Sequence, residues 1–112
     1  MARRLETLDF TPTLNAFNDV LVCPSGQKLE PVGCSCFSDG THAYNWVFFI
    51  HRAGGAYVYL DELDIAAGSP SAKRTSWQGV ALLAGDALTV FPFTSGTTTA
   101  GTNLGYVVVD PS

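Results

Sequence analysis

The stretch YNWVFFIHR, residues 44–52, carries the clearest structural signal in the sequence. The side chains of a β-strand point alternately to the two faces of a sheet. As a strand, this stretch places large apolar side chains on one face: Tyr44, Trp46, Phe48 and Ile50. The other face carries Asn45, Val47, Phe49 and His51. Since Val47 and Phe49 are also strongly apolar, the sequence predicts a second face that needs a cover of its own.

Short apolar runs separated by turn residues continue on both sides of this stretch. They are NDVLVC, KLEPVGCSCF, YNWVFFIHR, AYVYLDELDI, KRTSWQGVALL, ALTVFPF and LGYVVVD. Short strands with turn signals between them are typical of all-β sandwiches and barrels. We therefore predict an antiparallel β-sandwich, jelly-roll or immunoglobulin-like, with seven to eight strands.

The first sixteen residues, MARRLETLDFTPTLNA, lack a clear period and contain Pro12. They predict an extended N-terminal arm over residues 1–16, followed by the β-sandwich domain over residues 17–112. An extended arm gains order by lying on a neighbouring chain. This organisation favours a protein that assembles.

The composition limits the classes of partner. Hydrophobic residues make up 46% of the chain and charged residues 14%, against about 25% charged residues in ordinary globular domains. The net charge is -4 without a basic stripe, which argues against nucleic-acid binding. The apolar runs are too short to span a bilayer, so we expect no membrane partner. The low share of charged residues instead favours a protein whose surface is partly covered by other protein chains.

The cysteines indicate a reduced protein. Three cysteines are an odd number, which argues against a secreted disulfide framework. Cys34 and Cys36 lie two positions apart on one predicted strand, where a disulfide has poor geometry. We expect Cys23, Cys34 and Cys36 to be reduced, small core residues.

The sequence lacks the usual signatures of catalysis. It has neither a G-x-S-x-G motif nor a phosphate-binding glycine loop, so we expect no enzyme activity and no cofactor. Cys34, Cys36 and His42 are a weak zinc signal, because a closed structural site needs four ligands. The segment LDELD offers calcium ligands, although acidic turns are usually solvated; its carboxylates are Asp61, Glu62 and Asp64. We predict no metal site.

Aromatic residues leave two alternatives open. Tyr57, Tyr59 and Trp77 could stack on sugars, which predicts a carbohydrate-binding module with these rings on one accessible face. The favoured interpretation buries the same rings in the core or between subunits, where aromatic side chains contribute most.

Three predicted strands are apolar on both sides. Besides residues 44–52, they are ALTVFPF and LGYVVVD. A sandwich has one layer between its sheets, so its outer faces should be largely wet. Contiguous apolar surface outside that layer marks a protein interface. We predict a subunit interface at Val47, Phe49, Val107 and Val109.

Three motifs resemble the short structural proteins of tailed-bacteriophage virions. VLVCPSGQKLEPVGCSCF is similar to their opening strand, Pro-x-Gly turn and second strand. WQGVALLAGDALTV resembles a later pair of strands joined by an L-x-A-G-D-x-L-x-V turn, and GYVVVD resembles their last strand. The resemblance covers residues 18–110.

The resemblance implies a virion structural protein that is assembled in the host cytoplasm as an oligomeric subunit. Its partners would be copies of itself and other virion proteins, such as a major capsid or tail protein. Head decoration is the first expectation, and a neck, tail or fibre-base component is the alternative within the virion. A carbohydrate-binding module is the alternative outside this class.

Overall fold

The computed structural model describes residues 2–68, 72–97 and 102–110. These residues form eight β-strands, β1 (Ala2–Phe10), β2 (Asn18–Val22), β3 (Lys28–Phe37), β4 (Tyr44–His51), β5 (Tyr57–Ile65), β6 (Ala72–Ser76), β7 (Ala87–Thr94) and β8 (Thr102–Asp110). Within the described ranges there is no helix of the length and apolarity needed to cross a membrane. The predicted all-β class and strand number are confirmed.

The strands form two four-stranded antiparallel sheets. Sheet A has the order β1-β8-β3-β6, and sheet B has the order β2-β7-β4-β5. Strands that follow each other in the chain, apart from β4 and β5, lie in opposite sheets. This order is that of an eight-stranded jelly roll, in which two Greek keys close over one core. The topology thus selects the jelly roll from the two predicted sandwich types.

Strand β4 shows which of its faces is the core. Tyr44, Trp46, Phe48 and Ile50 are all buried, and they point toward sheet A. The intervening residues of β4 are only partly buried and lie on the outer face of sheet B. Trp46, Phe48 and Ile50 therefore belong to the core between the two sheets.

The core takes in two further sets of residues. Cys23, Cys34 and Cys36 are buried, as expected for small core residues. Trp77 is 9% exposed and packs edge-on against Phe48, with ring centroids 5.0 Å apart. Trp77 therefore does not share an accessible face with the two tyrosines that the carbohydrate alternative grouped with it.

The expected N-terminal arm is not confirmed. Strand β1 (Ala2–Phe10) pairs with β8 along its whole length and forms an edge of sheet A. Leu8 and Phe10 pack against the core, but Arg4 and Glu6 occupy the same face of the strand nearer its start. These two charges interrupt the apolar alternation of the strand, so the sequence does not show it.

A β-bulge separates the acidic residues of β5. Phe49 pairs with Tyr59, whereas Phe48 pairs with Asp61, so Leu60 is the extra residue. The bulge turns Asp61 toward the interior, where it accepts hydrogen bonds from Thr75 and Trp77. Without this extra residue, Asp61 would share the outer face with Tyr59.

The Gly-Asp turn before β7 has a clear mechanical role. Gly85 has a φ of 86°, a conformation that L-amino acids with a side chain rarely adopt. Asp86 is buried and accepts hydrogen bonds from the backbone N–H groups of Leu83 and Ala53 and from Arg52. The turn thereby ties the loop between β4 and β5 to the start of β7.

Candidate subunit interface

The four predicted interface residues lie on opposite sides of the sandwich. Val47 and Phe49 are on the outer face of sheet B, and Val107 and Val109 are on the outer face of sheet A. Val109 is only 2% exposed in the single chain, in register between Arg3 and Lys28. Val109 therefore has almost no surface left for a partner. An interface role for Val47, Phe49 and Val107 stays a prediction.

Sheet B carries a continuous set of aromatic rings on its outer side, here called the aromatic face. Each ring contacts at least one other ring of the set. The members are Phe17, Phe49, Tyr57, Tyr59, Phe91 and Phe93. Four of these rings are exposed by 44–62%: Phe17, Tyr57, Tyr59 and Phe93. Large exposed apolar patches are the first surfaces to consider as interaction sites.

Strand alternation and register build most of the aromatic face. Phe49 of β4 lies opposite Tyr59 of β5, and Val47 of β4 lies opposite Phe91 of β7. Directly opposed side chains on one face of an antiparallel pair are close enough to pack. Three neighbouring strands thus bring their outer apolar residues into one layer.

Phe17 joins the aromatic face from outside the strands. The turn before it contains Asn15, the one non-glycine residue in the described ranges with a positive φ, at 57°. The amide of Asn15 donates to the Thr94 carbonyl and accepts from the Thr94 N–H, both at 2.9 Å. These bonds fix the turn, and the Phe17 ring then lies 4.9 Å from the ring centroid of Phe91.

One end of the aromatic face is polar around Asp19. His51 approaches both carboxylate oxygens of Asp19 at 3.2 Å, and the Thr89 hydroxyl donates to the same carboxylate. The His51 ring also stacks on Tyr57, with centroids 4.0 Å apart. The carboxylate therefore holds the imidazole against the edge of the aromatic face.

This trio does not have the geometry of a catalytic nucleophile. An activated hydroxyl needs a base within hydrogen-bond reach that takes its proton. Here Asp19 lies in the middle and receives the hydrogen bonds of both Thr89 and His51. These hydrogen bonds instead orient the His51 ring on Asp19.

The opposite end of the aromatic face is acidic. The Asn45 side-chain amide donates to Glu62 at 2.9 Å and also to Asp64. All three side chains lie on the outer side of sheet B. Both ends of the face therefore carry carboxylates: Asp19 beside the His51 imidazole at one end, and Glu62 with Asp64 at the other.

A groove of about 720 Å³ continues from this acidic end. It lies where β4 begins, β5 and β7 end, and β6 starts. Its lining includes Asn45, Asp64, Lys73 and Phe93. Lys73 donates from Nζ to the backbone carbonyl of Asp64 at 2.9 Å.

The structure does not bring the candidate zinc ligands together. The Cys36 thiol donates to Cys34 with 3.8 Å between the sulfurs, inside the core. That hydrogen bond, together with burial, raises the pKa of Cys36 and keeps it protonated. His42 is on an exposed loop, where it contacts Asp39 at 2.6 Å.

The candidate calcium ligands are also divided, because Asp61 points inward while Glu62 and Asp64 point outward. Among the described residues, no group of three metal-ligating side chains could hold a metal ion.

Sequence reasoning missed Phe17 and the Asp19–His51 pair. Phe17 follows a segment without a period, so no alternation pattern assigned it to a face. The sequence separation of Asp19 and His51 leaves no local signal, since the register between strands creates the contact. Phe91 and Phe93 did carry a signal, because they alternate with core residues along β7.

Comparison of the chain with protein-family models, curated proteins and solved structures found no match in any of the three.

Proposed function

We propose that this protein is a structural subunit that assembles with copies of itself through the aromatic face. The exposed rings on the outer side of sheet B carry this proposal. Burying one phenylalanine side chain contributes roughly 1.5–3 kcal/mol. Several of these rings remain exposed to water after one chain has folded. A partner that buries them gains the corresponding free energy.

The polar groups at the two ends of the aromatic face restrict how a second copy can pack on it. In a two-fold dimer the same surface is used twice, so that residue i meets j and j meets i. A two-fold axis running across the strands brings the His51 end of one subunit onto the Glu62 and Asp64 end of the other. An axis along the strands would place like carboxylates together, which is unfavourable. The first arrangement therefore keeps the two Glu62 and Asp64 ends apart and places His51, with its partner Asp19, opposite them.

We place this subunit in the virion of a tailed bacteriophage, with head decoration as the first location to test. The support is the resemblance of residues 18–110 and the jelly-roll strand order, an architecture that also occurs in viral capsid domains. Fold alone does not determine function. A neck, tail or fibre-base location uses the same self-assembling face, with another virion protein as the second partner.

The substitution Phe49→Asp tests the self-assembly. Phe49 is in the middle of the aromatic face and outside the core, so the variant should fold but have the mass of a smaller species. Leu5→Asp is the matched control, because Leu5 is 70% exposed on the outer face of sheet A and pairs with Val107. Light scattering over a range of concentrations measures the mass of each.

Two results would contradict the proposed assembly. One is a wild-type protein that stays monomeric at every concentration. The other is dissociation by Leu5→Asp and not by Phe49→Asp, which would move the interface to sheet A. The virion role is tested separately by gold labelling of purified particles with an antibody against this chain, and absence of label from the particles would refute it.

The carbohydrate alternative loses part of its original basis. It required Tyr57, Tyr59 and Trp77 on one accessible face, and Trp77 is buried in the core. Tyr57 and Tyr59 alone remain exposed, within the aromatic face.

A further inference from the structure

The groove at the acidic end of sheet B combines an apolar plane with hydrogen-bonding groups of three kinds. Phe93 is 62% exposed and stacks on Phe91, with centroids 5.8 Å apart and planes 26° apart. Asn45, Asp64 and Lys73 line the same groove. A ligand there would meet an aromatic ring, an amide, a carboxylate and an ammonium group.

The hydrogen-bonding groups are held in place within the chain. The Asn45 amide nitrogen donates to Glu62 and Asp64, so its oxygen is directed away from them as an acceptor. Lys73 uses one N–H on the Asp64 carbonyl and has two further donors. Acceptors and donors that are fixed side by side before binding reduce the entropy lost when a ligand is ordered.

Size and charge restrict the ligand. Small-molecule sites usually have about 300–1,000 Å³ and place a few polar groups among apolar ones, and this groove of about 720 Å³ is in that range. Glu62 and Asp64 disfavour anions, which excludes phosphorylated ligands and nucleic acid as the preferred class. A neutral ligand with an apolar face and adjacent hydroxyl groups suits both the ring and the fixed donors and acceptors.

We propose that this groove binds a neutral saccharide of one or two pyranose units. The apolar C–H face of the sugar stacks on Phe93, and neighbouring hydroxyls donate to Asp64 and the Asn45 oxygen while accepting from Lys73. The groove shares Phe93 and the acidic end with the aromatic face, so the self-assembly proposed above would cover part of it, and a sugar and a second subunit would compete for this end.

Titration of the full chain with cellobiose, maltose and lactose, followed by NMR chemical shifts and calorimetry, tests this proposal. At least one of these sugars should bind and shift the amide signals around Asn45, Asp64 and Phe93. Phe93→Ala should weaken that binding about tenfold, as expected for removal of an aromatic contact. Leu83→Ala is the control, because Leu83 is 58% exposed outside the groove and should leave binding unchanged.

Asn45→Ala and Phe49→Asp complete the experiment. Asn45→Ala should also weaken binding, while Phe49→Asp should bind the sugar at least as tightly as the wild type, because separated subunits leave the groove open. The proposal is overturned if none of the three sugars binds at millimolar concentration to either the wild type or Phe49→Asp, or if Phe93→Ala binds like the wild type. Loss of binding in Phe49→Asp with full binding in Phe93→Ala would place the sugar on the middle of the aromatic face, which also overturns it.

Discussion

Phe17, which precedes the edge strand β2, and Tyr57, which begins the opposite edge strand β5, lie in contact, with ring centroids 4.8 Å apart and planes tilted by 33°. Strands in a sheet are spaced by about 4.8 Å, so β2 and β5 are three spacings apart. Because Phe17 lies before β2, its ring can extend over β7 and β4, where it also contacts Phe91 and Phe49. This contact closes the aromatic face from both edges and makes it one surface.

The turn at Asn15 should be sensitive to substitution in a graded way. Asn15→Ala removes the side-chain bonds to Thr94 and keeps a Cβ at positive φ, whereas Asn15→Gly removes the same bonds without that strain. We expect the alanine variant to be less stable than the glycine variant by about 1 kcal/mol. Urea unfolding of both variants gives the difference, and equal stabilities would show that the backbone conformation is not strained.

How far the sequence predicts the structure depends on how local each signal is. Alternation in β4 identified both its core face and its outer face, because the pattern is complete within eight residues. Strand β1 was missed because Arg4 and Glu6 interrupt the apolar alternation on the face that carries Leu8 and Phe10. Arg4 and Glu6 lie at the end of the strand that extends beyond the core. The separation of Asp61 from Glu62 and Asp64 depends on a bulge, and a bulge leaves no mark in a pattern of alternating residues.

The candidate site was predictable to a smaller extent. Val47 and Phe49 were placed on the outer face correctly, since their neighbours on β4 are the core residues. The joining of Phe17 to that face was not predictable, because it depends on one turn and on long-range bonds to Thr94. Contacts between distant strands, such as Asp19 with His51, follow from the strand order and register alone.

Asp61 should be more important for stability than its position in an acidic segment suggests. Its Oδ2 accepts from the Thr75 hydroxyl and from Trp77 Nε1 at 2.9 Å, which links the edge of sheet B to the edge of sheet A. Asp61→Ala leaves those donors unpaired, which should lower the free energy of unfolding by about 1–3 kcal/mol for a buried group. Asp61→Asn keeps an acceptor oxygen and should cost less. Chemical denaturation ranks the two variants, and equal losses would show that the charge, not the acceptor, matters.

Stability should fall in acid because several carboxylates have lowered pKa values, among them Asp39, Asp61 and Asp86. The N–H groups of His42 and Thr41 lower the pKa of Asp39 to about 2. Burial alone would raise the pKa of Asp61 and of Asp86, but their hydrogen bonds outweigh it and lower both. The unfolded chain takes up protons on such groups first, below about pH 4. Their contribution is therefore complete above that pH and is lost progressively as the pH falls, for Asp39 down to about 2.

Thermal unfolding at a series of pH values between about 7 and about 2 measures this loss. Asp39→Asn is the control, because an amide cannot titrate and the variant should lose less stability in acid than the wild type. A variant with the same acid dependence as the wild type would show that Asp39 does not contribute to it.

Deletion of residues 1–16 should prevent folding, in contrast to the behaviour of a peripheral arm. The deletion removes all of β1, exposes the edge of β8, and takes Leu8 and Phe10 away from the core. It also removes Asn15 and with it the bonds to Thr94. Deletion of residues 1–3 is the control, since these residues are exposed where described and precede the core contacts. Circular dichroism and urea unfolding should show a cooperative transition for the short deletion and none for the long one. A long deletion that unfolds cooperatively would establish residues 1–16 as an arm that the sandwich does not need.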